Sequence, residues 1–249
     1  MEKWKDKVAL ITGGSSGIGE STARLLYKHG LRVAVCARRL EKLHAIQQDL
    51  SAPDARFLCI QTDLRDEDSI LKMFATVRDT WGGVDILVNN AGIGHMASLM
   101  TGATQDWKEM LDVNVLALCV CTREAVQDMR SRGDQGHVIH ISSMSGHRVP
   151  ARSAMYAATK YAVRALTEAL RLELRVAKSA IRITSISPGT VETEFAYQLT
   201  KSEEIAKEIY SEFKVLEAID IAKTVQYVLE SPLHMEVNDV LIRPTAQKT

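Results

Sequence analysis

The chain carries no excess of charge, few cysteines and no long hydrophobic run. Its 31 Lys and Arg are matched by 31 Asp and Glu, so no global field draws it to nucleic acid or anionic lipid. The four cysteines (Cys36, Cys59, Cys119 and Cys121) lie in apolar stretches, and Cys119-Val120-Cys121 is not a Cys-x-x-Cys pair. This excludes a cysteine-based metal site and suits free, buried thiols in a reducing cytoplasm. No His, Cys and acid cluster has ligand spacing, so no metal is expected. No apolar run is long enough to span a bilayer, so no membrane insertion is expected. Met1 to Asp6 leads straight into an apolar stretch with no signal-peptide core. A cytoplasmic location follows as an expectation. Composition breaks, long linkers and low-complexity tracts are also missing, which argues against a second domain.

What is present is alternation. Short apolar runs at 8–11, 32–36, 57–61, 85–89, 137–141, 181–186 and 237–242 read as strands. Amphipathic stretches at 17–29, 40–50, 66–81, 107–130, 154–177, 203–213 and 219–229 read as helices. Repeated strand–helix alternation predicts an α/β fold, a doubly wound parallel sheet of about seven strands with helices on both faces. The 249 residues suffice for one such domain over 1–249. Val113, Val115, Leu116, Ala117, Leu118 and Val120 nearly encircle one long helix. A helix apolar all round must be covered on all sides. A homo-oligomer is expected, against the alternative of a thick core in a monomer.

Thr12-Gly13-Gly14-Ser15-Ser16-Gly17-Ile18-Gly19 follows the first strand and opens the first helix. Gly13, Gly17 and Gly19 let backbone approach a pyrophosphate, and the helix N-terminus offers free N–H groups to it. Ser15 and Ser16 add hydroxyl donors. A dinucleotide site is expected here. An NAD enzyme would carry an acid after the second strand, to bind the ribose 2′-hydroxyl. This chain has Arg38 and Arg39 there instead. Guanidinium groups bind a 2′-phosphate bidentately, so NADP(H) is preferred over NAD(H). The competing reading is a pair of solvated loop arginines. Asp63, followed by Leu64, is placed to accept from an adenine amino group, or else to cap a helix.

Tyr156 and Lys160 are one helical turn apart, and Ser143 lies thirteen residues upstream of Tyr156. Beside a dinucleotide, this set can move a proton to or from a carbonyl oxygen. A free tyrosine titrates near pH ~10, so it needs help to act as a base. An ammonium on the same helix face is expected to lower its pKa. Ser143 ends a strand, where ligands of parallel sheets bind, and its hydroxyl can hold the substrate oxygen. Ser142 is its competitor. Asn114 stands inside an apolar helix and must find polar partners.

The glycine run, Asn89-Asn90-Ala91-Gly92, Asn114, Ser143, Tyr156-x-x-x-Lys160 and Pro188-Gly189 occur together in this order. The chain thereby resembles the short-chain dehydrogenase/reductase family over essentially its whole length. The resemblance implies a Rossmann sheet assembled as a tetramer, else a dimer, through the two long helices. It implies catalytic roles for Asn114, Ser143, Tyr156 and Lys160, with Asn114 holding a relay water and Lys160 the nicotinamide ribose. It also implies that Asn90, Ala91 and Gly92 flank the cofactor, while Pro188, Gly189, Val191 and Thr193 meet the nicotinamide end. Ile141 to Val149, Ile186 to Thr193 and Asn238 to Thr245 resemble the branch holding dehydrogenase/reductase member 11 and the farnesol dehydrogenases. The C-terminal stretch departs from the Val-Asp-Gly-Gly ending of acyl-carrier-protein reductases. A neighbouring branch with a similar ending acts on serine and other 3-hydroxy acids.

A substrate lid is expected over 192–216, with Phe195, Tyr197, Leu199, Ile205 and Phe213. With Met96, Met144, Val149 and Met155 it would make an adaptable apolar pocket. That favours apolar steroid- or terpenoid-like, or small promiscuous, carbonyl substrates. Arg148 and Arg152 would instead clamp a carboxylate, favouring a 3-hydroxy acid. His95 and His147 flank the same region as surface or substrate-contact residues. A non-catalytic NADP(H)-binding sensor is the reading from another class, and the complete proton-handling set argues against it.

Overall fold

A computed structural model describes every residue except 54, 152 and 249. Arg152, one half of the expected carboxylate clamp, therefore lies outside the described residues. Seven parallel strands form one sheet in the order β3-β2-β1-β4-β5-β6-β9. They are β1 (Val8–Thr12), β2 (Arg32–Ala37), β3 (Phe57–Gln61), β4 (Ile86–Asn89), β5 (His137–Ile141), β6 (Arg182–Pro188) and β9 (Asp239–Ile242). A further short parallel pair joins β7 (Val191–Glu192) to β8 (Leu216–Glu217).

All five residues of β1 are buried, as suits a central strand covered on both faces. Successive side chains point to opposite faces. Ala9 and Ile11, with Val33 and Val35, face a core packed by α1 (Gly17–Lys28), α2 (Leu40–Asp49) and α9 (Ala218–Glu230). Val8 and Leu10, with Ala34 and Cys36, face the opposite core. That core is packed by α3 (Glu67–Trp81), α5 (Ala117–Ser131) and α6 (Ala154–Val176). The helix ends follow local chemistry. Asp66 caps α3 by accepting from the Asp68 N–H, and Gly82 ends it in the left-handed region at φ 84°. Glu217 and Asp220 form a reciprocal capping box at α9.

Several expectations need correction. The helix expected over 107–130 is three pieces: α4 (Thr104–Leu111), a π-helical stretch Asp112–Leu116, and α5. Wide π turns are rare and concentrate at functional sites, and this one holds Asn114. Its apolar ring also divides: Ala117, Leu118 and Val120 enter the core, whereas Leu116 stays 57% exposed. The segment 192–216 carries a short helix besides the one expected over 203–213. It contains α7 (Phe195–Thr200) and α8 (Glu203–Ser211) between β7 and β8. Of the four thiols, Cys36 and Cys121 are buried, but Cys59 and Cys119 are half-buried.

β1 and β4 are neighbours, yet the chain runs away from them to opposite sides of the sheet. Such a reversal opens a crevice beyond the carboxyl ends of the strands.

Candidate active site

A cleft of about 1090 Å³ occupies that crevice. At one end the Thr12 hydroxyl accepts from both the Asn90 and Ala91 N–H groups, at 3.0 Å each, tying the ends of β1 and β4 together. Asn90 returns its amide to the Thr12 and Gly13 carbonyls at 2.9 and 3.2 Å. Gly13 has φ +66°, and a Cβ there would stand 2.9 Å from the Ala91 Cα. A Cβ on Gly19 would stand 2.4 Å from the Gly13 carbonyl oxygen. Gly19 is thus a packing residue and does not line the cleft, whereas Gly13, Ser15, Ser16, Gly17 and Ile18 do. Ser16 precedes α1 in extended backbone without capping it through its side chain. The first N–H groups of α1 are left to a ligand, as an anion site requires.

Arg38 and Arg39 line the same end, with Asp63 and Leu64. Arg38 is exposed. Arg39 donates to Ser15 Oγ at 3.3 Å and to Glu194 at 2.8 Å. The Asp63 carboxylate is engaged by Arg65, whose guanidinium reaches it at 2.6 Å. That bond, first among the causes, holds the Asp63 carboxyl below its ordinary range.

At the other end, Tyr156 sits in the first turn of α6 and Lys160 one turn on. Tyr156 and Ser143 both line the cleft, and the Tyr156 ring lies 5.4 Å from that of Phe195. Ser143 also accepts from the Ser145 N–H at 3.0 Å, which fixes its short 3-10 turn. Ser142 instead turns its hydroxyl toward the Lys160 carbonyl at 3.4 Å. Lys160 is buried, donates to the Ile141 carbonyl at 2.9 Å, and lies 5.7 Å from the Tyr156 ring centre. Burial pulls its pKa down to about 8. Burial pushes Tyr156 up to about 12, against the opposing effect of the nearby Ser143 hydroxyl. The lowering expected from Lys160 is not among the causes of this shift, which is set by desolvation of the phenolate.

Asn114 is buried and uses its amide fully. Its Oδ1 accepts from the Ile93 N–H at 2.8 Å. Its Nδ2 donates to the Ile93 carbonyl at 2.9 Å and to Thr159 Oγ1 at 3.0 Å. A Cβ on Gly92 would lie 3.5 Å from both Asn114 Oδ1 and Lys160 Nζ, so the turn after β4 brings these groups together. Asn89 turns away to Thr122, at 2.9 Å.

Pro188, Gly189, Val191 and Thr193 line the cleft, as do Met144, Arg148, Val149, His95, Phe195 and Leu199. Several expected contacts are not among its lining. Met155 packs beside Ala97 and Met110, while Met96, Tyr197 and Ile205 are exposed. His147 bonds Ser187 at 3.1 Å beneath the cleft. Sequence reasoning missed Tyr210, whose hydroxyl holds the Thr193 carbonyl at 2.8 Å. It missed Gln247, which accepts from the Thr190 N–H at 3.0 Å. It also missed Glu194, joined to Arg39 and to Lys42. No local motif marks these three: Tyr210 lies 17 residues from Thr193, Gln247 lies 57 from Thr190, and Glu194 lies 155 and 152 from its partners Arg39 and Lys42.

Comparison with known proteins follows the same lines. The short chain dehydrogenase family model matches residues 7–204. "Dehydrogenase/reductase SDR family member 11" of Bos taurus is 50% identical, covering all of both chains. The farnesol dehydrogenase of Aedes aegypti is 40% identical, again over both whole chains. Among solved structures, the closed form of a serine dehydrogenase complexed with NADP+ superposes with a TM-score of 0.91 at 32% identity, covering 97% of this chain and 96% of that one.

Proposed function

The chain belongs to the short-chain dehydrogenase family, and from that premise we propose that it interconverts a ketone or aldehyde and an alcohol with NADP(H). The observation that carries this reading is one cleft lined by the glycine turn, Ser143, Tyr156 and Lys160. The uncapped start of α1 fits a pyrophosphate, and Arg38 and Arg39 fit a ribose 2′-phosphate. Asn90, Ala91, Gly92, Lys160, Pro188, Gly189, Val191 and Thr193 would hold the rest of the cofactor. When bound, the cofactor supplies or accepts the hydride.

The chain's own residues handle the oxygen. The Ser143 hydroxyl orients the carbonyl and donates to the oxygen as negative charge grows there. Tyr156 gives its phenolic proton to that oxygen. Burial, which pushes its pKa up to about 12, keeps the phenol in the protonated form that can give a proton, and makes it a weaker acid than a free tyrosine. Lys160 places a positive charge nearby while it remains an ammonium. Asn114 positions the loop at Ile93 and the start of α6, through Thr159.

Phe195, Leu199, Met144 and Val149 give the substrate end apolar walls. This supports an apolar steroid- or terpenoid-like substrate, or a range of small carbonyls, beneath a lid at 192–216. Arg148 on the same wall, with a serine dehydrogenase among the structural relatives, supports a 3-hydroxy acid as the second reading. Leu111 and Leu116, with Tyr161, Leu172 and Val176 of α6, are exposed apolar side chains. They support a homo-oligomer, a tetramer or else a dimer. Among the described residues no helix is long and apolar enough to cross a membrane. We propose a cytoplasmic enzyme acting as one domain.

NADPH and NADH consumption across a steroid ketone, a terpenoid aldehyde, an α-dicarbonyl and a 3-oxo acid tests the proposal. Turnover of an apolar member, with Arg38→Ala weakening NADPH far more than NADH, is the expected result. Turnover of the 3-oxo acid alone would move the assignment to the second reading. NADPH binding without turnover of any member would leave either a substrate outside the panel or a sensor.

A further inference from the structure

Three consecutive residues of the lid touch three separate parts of the site. Thr193 packs on the glycine turn, its Cγ2 2.9 Å from where a Gly17 Cβ would lie. Phe195 covers Tyr156 and, with Leu199, leans on Gly94, whose Cβ would meet them at 3.0 and 2.9 Å. Between them Glu194 crosses to the opposite wall. One carboxylate oxygen accepts from Arg39 at 2.8 Å and the other from Lys42 at 2.7 Å.

Arg39 and Lys42 thus form a two-cation anion site beside Ser15, and a carboxylate of the chain itself sits in it. We propose that Glu194 and the cofactor's 2′-phosphate compete for this site, with Lys42 as its second cation, so that cofactor choice and the hold of Phe195 on Tyr156 are set together. The inference rests on the NADP(H) reading of the site. A phosphate brings about two negative charges and three acceptor oxygens, against one charge and two oxygens for a carboxylate. It displaces Glu194, whereas a nucleotide ending in a 2′-hydroxyl leaves the pair intact. Release of Glu194, the residue before α7, frees Phe195, the first residue of that helix. The two cations hold the Glu194 carboxyl down to about 2, so it is an anion throughout the working pH range.

Titration of 2′,5′-ADP and ADP against the wild type, Glu194→Gln and Lys42→Ala decides the matter, with hydrogen exchange followed over residues 195–200. Partly exposed charge pairs are worth little individually, so the expected gain for 2′,5′-ADP in Glu194→Gln is about three- to fivefold, with ADP unchanged. Lys42→Ala should weaken 2′,5′-ADP several-fold and spare ADP. In the wild type, 2′,5′-ADP but not ADP should speed exchange in α7, and Glu194→Gln should show that faster exchange without ligand. If Glu194→Gln weakens both nucleotides, Glu194 is a clasp over bound cofactor and the inference fails. Unchanged 2′,5′-ADP affinity in Glu194→Gln, with Arg38→Ala still weakening it, overturns the competition and leaves the NADP(H) reading standing. Equal wild-type affinity for the two nucleotides overturns both.

Discussion

The two ends of the cleft are built from different materials. The nucleotide end is backbone: the turn of Gly13 to Gly19, locked to Asn90 and Ala91 by the Thr12 hydroxyl and the Asn90 amide. The substrate end is side chains on short elements, with Phe195 and Leu199 resting on Gly94 and Tyr210 holding Thr193. Backbone held by many short bonds has one geometry. A six-residue helix flanked by two-residue strands can be repositioned at small cost. A rigid cofactor end beside an adaptable substrate end suits one cofactor and a class of carbonyls.

Substitutions at each end should separate them. The larger effect on nucleotide binding is expected at Gly19, where a Cβ would meet the Gly13 oxygen at 2.4 Å and Asn90 Nδ2 at 2.5 Å. Gly19→Ala should cost about 1–3 kcal/mol of stability as an overpacked site. It should also weaken NADPH by about tenfold or more, read by thermal denaturation and nucleotide titration. Phe195→Ala should act mainly at the other end, reaching the nucleotide end only through its neighbour Glu194. It should raise KM for an apolar carbonyl by about tenfold, the loss of a few buried methylene equivalents, and change NADPH affinity less than about twofold. Equal losses in both constants would mean that the two ends are not separable.

The smallest effect concerns Lys160, whose pKa falls from 10.5 to about 8 on folding. Between those values the unfolded chain binds more protons than the folded one, so stability from this group rises with pH across that window. The melting temperature of the wild type relative to Lys160→Met should therefore climb by a few degrees from pH ~7 to pH ~10. Over the same range carbonyl reduction should slow as the ammonium is lost. A flat difference would mean that Lys160 is not desolvated as described.

The same contrast explains what could be read from sequence. Strand patterning gave the sheet because β1 and β2 are continuous apolar runs, a signal that survives without tertiary context. The glycine turn and the Tyr156–Lys160 spacing are local, so geometry follows from order along the chain. The π turn at Asn114 was not legible, since one wider turn leaves helical periodicity almost unchanged. Glu194 was not legible either, because its partners Arg39 and Lys42 are more than 150 residues away in sequence. The direction of the Tyr156 shift depended on burial, which spacing does not encode.

In the proposed function one end of the cleft binds the nucleotide while Tyr156 at the other moves the proton. Side-by-side measurement of the NADPH dissociation constant and the single-turnover reduction rate in the wild type and Tyr156→Phe tests it most directly. The account predicts a rate lower by about 10²–10⁴-fold, the range for a lost general acid, with a dissociation constant changed less than about twofold. A retained rate, or a rate that falls only in proportion to lost NADPH binding, would contradict it.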